Sequence, residues 1–166
     1  LHAQTDWERH QRQGPIVIRR GNGARVVDEH GKAYLEGMSG LWCASLGFSN
    51  ERLAQAAHRQ MMSLPYYHTF NHRVPDVTAQ LARKVASLAP LDAPRVFFAG
   101  SGSEANDSMV KLSWSFFRAI GQPARRKLIA HQRGYQGSTV MGASLSGLPS
   151  MDAASALPLD CVRQVE

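Results

Sequence analysis

The chain has 166 residues, enough to bury a core as one domain or one and a half. Nineteen Lys and Arg against 13 Asp and Glu leave it at +6, but the cations, 15 of them arginines, are scattered, with only Arg125, Arg126 and Lys127 clustered and no nucleic-acid module beside them. Two distant cysteines without metal-ligand spacing point to a reduced, cytoplasmic compartment, while the absence of a signal-like apolar segment at the start and of any membrane-length apolar run argues against secretion and against a membrane protein.

Taken in chain order, Ile16–Gly37 is strand-like. IVIRR, a Gly-Asn-Gly break at Gly21–Gly23 and ARVVDEHGKAYLEG, with a turn at Asp28–Gly31, predict a small antiparallel hairpin or meander. Leu53, Ala56, Ala57 and Met61 recur at helical spacing over Glu51–Met62, with Asn50 as the candidate cap and Pro65 as the stop. A second helix is expected over Pro75–Leu88, with Val77, Leu81, Val85 and Leu88 on one face and Pro90 beyond it. A strand at Arg95–Ala99, a helix at Gly102–Ile120, a break at Gly121 and a strand at Lys127–His131 then read as a parallel crossover unit. A last helix begins near Ser138 and weakens at Gly147 and Pro149, and Cys161–Val165 is a possible final strand. The change from antiparallel to α/β signals divides the chain into a small lobe, residues 1–70, and the start of a larger domain, residues 71–166.

The stretch with most chemical content is RVFFAGSGSEANDSMVK, Arg95–Lys111. Ser101 stands three residues before Glu104, the spacing of a capping box that opens a helix. Free backbone N–H groups and the positive end of the helix dipole then face whatever lies at Gly102 and Ser103, and a phosphate fits there. Alone, the motif fits an ordinary capped helix as well. The loop Gln132–Gly137 follows the next strand, so both loops should open on the same edge of the sheet, where ligands of α/β folds bind.

Three segments in order, GARVVDEHGKAYLEGMSGLW at Gly23–Trp42, FFAGSGSEAND at Phe97–Asp107 and GYQGSTVMGASLSG at Gly134–Gly147, together resemble the class III pyridoxal-phosphate aminotransferases. Leu41, Trp42 and LPYYHTF at Leu64–Phe70 are closest to the omega-transaminase, or amine:pyruvate aminotransferase, branch. The resemblance implies an α/β chain of the aspartate-aminotransferase-like fold (pyridoxal-phosphate fold type I), incomplete here: a small α+β lobe and the first part of a large, mainly parallel-sheet domain. It implies pyridoxal 5'-phosphate as cofactor, an amine or omega-amino acid as donor, a keto acid such as pyruvate as acceptor, and a homodimer or larger homo-oligomer.

By the same resemblance, Gly102 and Ser103 would hold the cofactor phosphate and Tyr135 would stack on its ring, although Tyr135 also reads as a loop aromatic capping the core. Trp42, Phe70 and, less directly, Leu41 would wall the substrate pocket, where large rigid aromatics discriminate by size; the two aromatics equally suit a core. Two positions depart from the family's pattern. Gln136 stands where His is usual, and Gly100 where Asn is frequent. Gln still hydrogen-bonds but cannot titrate.

The family's catalytic lysine and its aspartate partner are expected beyond Glu166, and none of Lys32, Lys84, Lys111 and Lys127 matches the lysine position. Together with Leu1 in place of an initiator methionine, this reads as the amino-terminal portion of a longer chain, inactive alone. Other pyridoxal-phosphate reactions on the same fold, by an aminomutase, racemase or decarboxylase, would share these motifs, as would a noncatalytic fragment that binds phosphate or oligomerises. His68 and His72 lack a third ligand for a metal, and Ser101, Ser103 and Ser138 lack the G-x-S-x-G elbow of a serine hydrolase.

Overall fold

A computed structural model describes residues 5–148 and 156–166. They fall into two compact units, Thr5–Lys84 and Val85–Glu166.

The first unit opens with a helix that the sequence reading did not anticipate, α1 (Trp7–Gln13), capped by the Asp6 carboxylate on the Arg9 N–H. The antiparallel meander follows as expected: β1 (Ile18–Asn22), β2 (Arg25–Asp28) and β3 (Ala33–Leu35), in that order across the sheet. Arg20 pairs with Val27 and Val26 with Tyr34. The Gly-Asn-Gly break is not a gap between elements. It carries β1 through Asn22 and turns it directly into β2.

Asp28 ends β2 and organises the next turn. Its carboxylate accepts from the N–H groups of His30 and Lys32, each at 2.9 Å, and from the Tyr34 hydroxyl at 2.8 Å. The Tyr34 bond, helped by the two backbone donors, holds the carboxyl below its usual pKa, against the opposing pull of burial, and the same contact raises the tyrosine.

Beyond the sheet lie a single turn, α2 (Ser39–Trp42), and α3 (Glu51–Ser63), which is capped by Asn50 on the Leu53 N–H as the sequence suggested. Phe48 bonds back to Gly23 through both its N–H and its carbonyl, so the loop before α3 is tied to the β1–β2 turn. The helix α4 (Asp76–Leu88) runs across the division between the units. Among the described residues, neither α3 nor α4 packs on another element. The expected apolar stripe of α4 is uncovered: Leu81 is 52% and Leu88 71% exposed.

In the second unit the strand expected at Arg95–Ala99 is not formed. The apolar residues are there, but a strand exists only against a neighbour, and among the described residues none pairs with this segment; Phe97 is 73% exposed. The parallel pair lies elsewhere. The strand β4 (Leu128–His131) pairs with β5 (Val162–Val165), Leu128 opposite Val162, and the crossover between them carries α6 (Val140–Leu145), capped by Thr139. Gly147 extends the pairing to Gln132, whereas Pro149, expected to weaken the last helix, lies outside the described residues.

The long helix α5 (Gly102–Ala119) and α6 close the core. Val110, Leu145 and Val162 are its buried centre, with Trp114, Leu128, Ala130, Met141 and Cys161 packed around them. Trp114 keeps its indole N–H satisfied by the Arg126 carbonyl at 3.1 Å, while the Arg126 guanidinium lies over its ring at 4.4 Å. No helix among the described residues is long and apolar enough to cross a membrane.

The Asp28 cluster generates a pH dependence. A carboxyl held below its unfolded value of about 3.9 contributes stability above that pH and loses it as pH falls through the lower folded value. The Asp28→Asn variant, which cannot accept three donors as a charge, should show a lower urea midpoint at pH 7, and its difference from wild type should shrink steadily as titration proceeds below pH 4. A constant difference down to acid pH would contradict this account.

Candidate functional site

The start of α5 is a reciprocal cap. The Ser101 hydroxyl accepts from the Glu104 N–H at 3.1 Å, and the Glu104 carboxylate reaches back to the Gly100 N–H at 2.7 Å. The capping box read from the sequence is therefore present, displaced by one residue on its return bond. Ser101 and Glu104 consume two of the donors near the helix start. The N–H groups of Gly102 and Ser103 have no acceptor among the described residues. A helix cannot satisfy its own first donors, and α5, 18 residues long, adds the positive end of its dipole. A methyl group built on Gly102 would meet nothing within 4 Å, so a side chain there would stand in open space.

The second loop joins the first. The Ser138 N–H donates to the Ser103 hydroxyl at 3.0 Å, and the Thr139 hydroxyl donates to the Asp107 carboxylate at 2.8 Å. Asn106 donates its amide N–H to the Gln136 carbonyl. Ser103, Asn106, Asp107 and Val110 lie at i, i+3, i+4 and i+7, one face of α5, polar toward the loop and apolar toward the core. Asn106, Asp107 and Thr139 escaped the sequence reading, though this polar-to-apolar stripe was the signal that could have revealed them.

Two glycines make the approach possible. Gly137 has φ 135°, and a Cβ there would fall 2.6 Å from Ser103 Oγ and 3.0 Å from Ser103 Cα. At Gly147 a Cβ would fall 2.4 Å from Gln132 Cα. From the other side, the buried Ser146 hydroxyl accepts from the Gln136 N–H at 2.8 Å and lies 2.9 Å from the Gly142 carbonyl, to which it donates. Gln136 is thus held by its backbone N–H and C=O, not by its side chain. Its departure from histidine leaves the loop's framework intact. Tyr135, next to it, is 55% exposed, and its ring makes no aromatic contact among the described residues.

The expected wall residues belong to the other unit. Leu41 and Trp42, 65% and 75% exposed, sit together in α2, and Phe70 is 73% exposed. None of the three is core. The α2 turn has an unusual backbone: Ser39, Gly40, Leu41 and Trp42 all have positive φ, at 51°, 61°, 59° and 70°. Left-handed backbone costs roughly 1–2 kcal/mol for each residue bearing a Cβ. It is closed by the Trp42 N–H on the Met38 carbonyl at 2.8 Å. Glu36, which the sequence reading passed over, supplies both carboxylate oxygens to it, Oε1 to the Met38 N–H at 2.9 Å and Oε2 to the Gly40 N–H at 2.5 Å.

Of the lysines, Lys32 lies over the Tyr34 ring at 4.9 Å. Lys111 stands nine residues into α5, roughly 13 Å along the axis from Gly102, in a cleft with Trp114, Arg118 and Arg126.

Comparison with known proteins bears directly on these loops. The family model for class III aminotransferases matches residues 7–158. The gamma-aminobutyrate transaminase 1, mitochondrial, of Oryza sativa subsp. indica is 46% identical over 145 residues, which cover 87% of this chain and 28% of that protein. The vanillin aminotransferase of Capsicum frutescens is 44% identical over 153 residues, 92% of this chain and 33% of that protein. Among solved structures, the omega transaminase of Pseudomonas jessenii in complex with PMP superposes with a TM-score of 0.95 at 47% identity, over 99% of this chain and 36% of that one. A thermostable omega-transaminase variant with tryptophan, phenylalanine and arginine replaced, engineered for asymmetric synthesis of enantiopure bulky amines, matches with the same TM-score at 45% identity, over 99% of this chain and 37% of that one. The chain thus spans about a third of the length of the proteins it matches.

Gly137 and Gly102, one in each of the joined loops, should respond differently to a methyl group. Gly137→Ala must drive a Cβ into Ser103 from a left-handed backbone and should destabilise the fold by about 1–3 kcal/mol in urea unfolding. Gly102→Ala, with open space in front of it, should stay within about 0.5 kcal/mol of wild type. Equal losses at both positions would show that the loop contact is not what holds Gly137.

Proposed function

The chain belongs to the class III aminotransferase family, and from that premise we propose that the full-length protein is a pyridoxal-phosphate-dependent transaminase moving an amino group from an amine or omega-amino acid to a keto acid such as pyruvate. Over the residues it spans, the fold is that of the aspartate-aminotransferase-like, fold type I omega transaminases. The observation that carries the functional reading is the pair of N–H groups at Gly102 and Ser103, which have no acceptor among the described residues and lie beside the Tyr135 loop.

These residues fit the cofactor. Gly102 and Ser103 offer donors and the helix dipole to a phosphate, and Tyr135 offers an exposed ring face to an aromatic one. Pyridoxal phosphate, when bound, supplies the electron sink that lets an amine lose its α-proton. This chain's part is to hold and orient. Ser103 has two tasks, its N–H free for the phosphate and its hydroxyl accepting from Ser138, so the two loops are fixed with respect to each other before a ligand arrives. Asn106 holds the Tyr135 loop at the Gln136 carbonyl, and Asp107 holds it through the Thr139 hydroxyl.

Leu41, Trp42 and Phe70 are the proposed wall of the amine pocket. In support, all three are exposed large side chains. The engineered bulky-amine transaminase has a tryptophan and a phenylalanine replaced that stand as far apart in its sequence as Trp42 and Phe70 do here. The donor is left as a class, because the relatives are named for gamma-aminobutyrate and for vanillin. The division at residues 70 and 71 and a cytoplasmic location belong to the same proposal; the rice relative is named mitochondrial, and fractionation of the expressed full-length protein decides the location.

A homodimer or larger homo-oligomer is also proposed. Leu81, Leu88, Phe97, Leu112 and Phe116 are among the large apolar residues left exposed. Light scattering should find the chain associated at micromolar concentration, and a well-behaved monomer would count against the proposal.

Activity should separate the full-length protein from this chain. With pyridoxal phosphate, the full-length protein should convert amine and pyruvate, and borohydride should trap the cofactor on one lysine. The 166-residue chain should do neither, since Lys111 lies far along α5 from the phosphate donors. A borohydride-trapped Lys111 in the chain, or a full-length protein that binds the cofactor without amino transfer, would overturn the assignment.

A further inference from the structure

We propose that Glu36 is a positioning residue for amine selectivity, its carboxylate holding the left-handed Ser39–Trp42 turn that presents Leu41 and Trp42. The inference rests on the reading of those two side chains as pocket wall, and adds to it the group that fixes where the wall stands.

The argument begins with the backbone. Four consecutive residues have φ between 51° and 70°, and only Gly40 is free of the Cβ penalty. Such a turn persists only if its surroundings over-determine it. Its backbone bonds, the Trp42 N–H on the Met38 carbonyl and the Cys43 and Ala44 N–H groups on the Ser39 carbonyl, leave the Met38 and Gly40 N–H groups without backbone acceptors. Glu36 takes both, one on each oxygen. A carboxylate is the only side chain with two equivalent acceptors and a charge to strengthen them. Glutamine would keep one acceptor and turn an N–H toward a second N–H.

Glu36 is itself anchored. It follows β3, and its own N–H donates to the Ala24 carbonyl at 2.9 Å, in the β1–β2 turn. The far end of the loop returns to that turn through Phe48 on Gly23 and the Ser49 hydroxyl on the Gly21 carbonyl. Both ends of the segment are therefore fixed to the meander, while Leu41 and Trp42 stand exposed at its middle. What sets their direction is the hand of the turn. If the turn relaxed to right-handed backbone, both side chains would leave their present direction, with the pinned ends unmoved.

The test uses the full-length holoenzyme with fluorotryptophan incorporated, the Trp42 fluorine resonance being assigned by its loss in Trp42→Phe. Selectivity is read as the ratio of kcat/KM for a bulky and a small amine, and Trp42→Ala first establishes that this ratio answers to the wall. Glu36→Ala should displace or broaden the Trp42 resonance and shift the ratio by about tenfold, mainly through the KM of the amine. Glu36→Gln should do the same to a smaller degree, and it serves as the main variant if Glu36→Ala folds poorly. Adding Ser39→Gly to either variant should restore part of both signals, because glycine adopts positive φ without penalty; a general loss of stability would not be repaired in this way. If Trp42→Ala moves the ratio while both Glu36 variants leave resonance and ratio unchanged, the inference is wrong and the pocket reading stands. If Trp42→Ala leaves the ratio unchanged, the pocket reading fails and the selectivity role of Glu36 fails with it.

Discussion

A helix cannot bond its own first N–H groups, and that one constraint at α5 arranges the second unit. Ser101 and Glu104 satisfy the donors on one side of the helix start. The Ser103 hydroxyl, on the face that continues to Val110 and the core, instead accepts from Ser138 and draws the Tyr135 loop against the helix. That contact requires a glycine at 137, a return path through Gly147 beside Gln132, and buried hydroxyls at Ser144 and Ser146 to absorb the backbone groups brought inside. Ser144 accepts from Leu159 and thereby ties the approach of β5 to the same small helix. The parallel pair, the loop and the helix start are one connected arrangement, with two donors left over.

Those parts were unevenly legible in the sequence. Asn50, Ser101 and Glu104 are visible because capping is local, requiring only the right side chain a few residues from the N–H it serves. The meander is visible for the same reason, its turns being written in Gly23 and in Asp28. The strand at Arg95–Ala99 was misread because a run such as Val96–Phe98 reports only a preference for extended, buried backbone; pairing depends on residues remote in sequence. The convergence of the loops was suggested by topology, but the atoms that make it, Ser103 with Ser138 and Asp107 with Thr139, are more than thirty residues apart and carry no pattern of their own.

Glu36 and α2 were illegible for a different reason. SGLW contains one glycine, and nothing in its composition announces four left-handed residues in succession. The carboxylate that bonds to it lies three residues upstream of Ser39, and the ends of the segment are fastened elsewhere. Tyr135, Leu41, Trp42 and Phe70 could be named from resemblance, whereas the question of core or surface was settled by burial: all are exposed.

The way the Tyr135 loop is held has a consequence for recoding it. Asn106 grips residue 136 at its carbonyl and Ser146 grips it at its N–H, while the glutamine side chain is left exposed. The scaffold reads the main chain there and is blind to the alphabet. A library that randomises 135 and 136 while fixing Gly137, Ser138 and Gly147 would therefore explore ligand chemistry on an unchanged frame. Spreading the same diversity over the three fixed positions would spend it on variants whose loop no longer meets the helix.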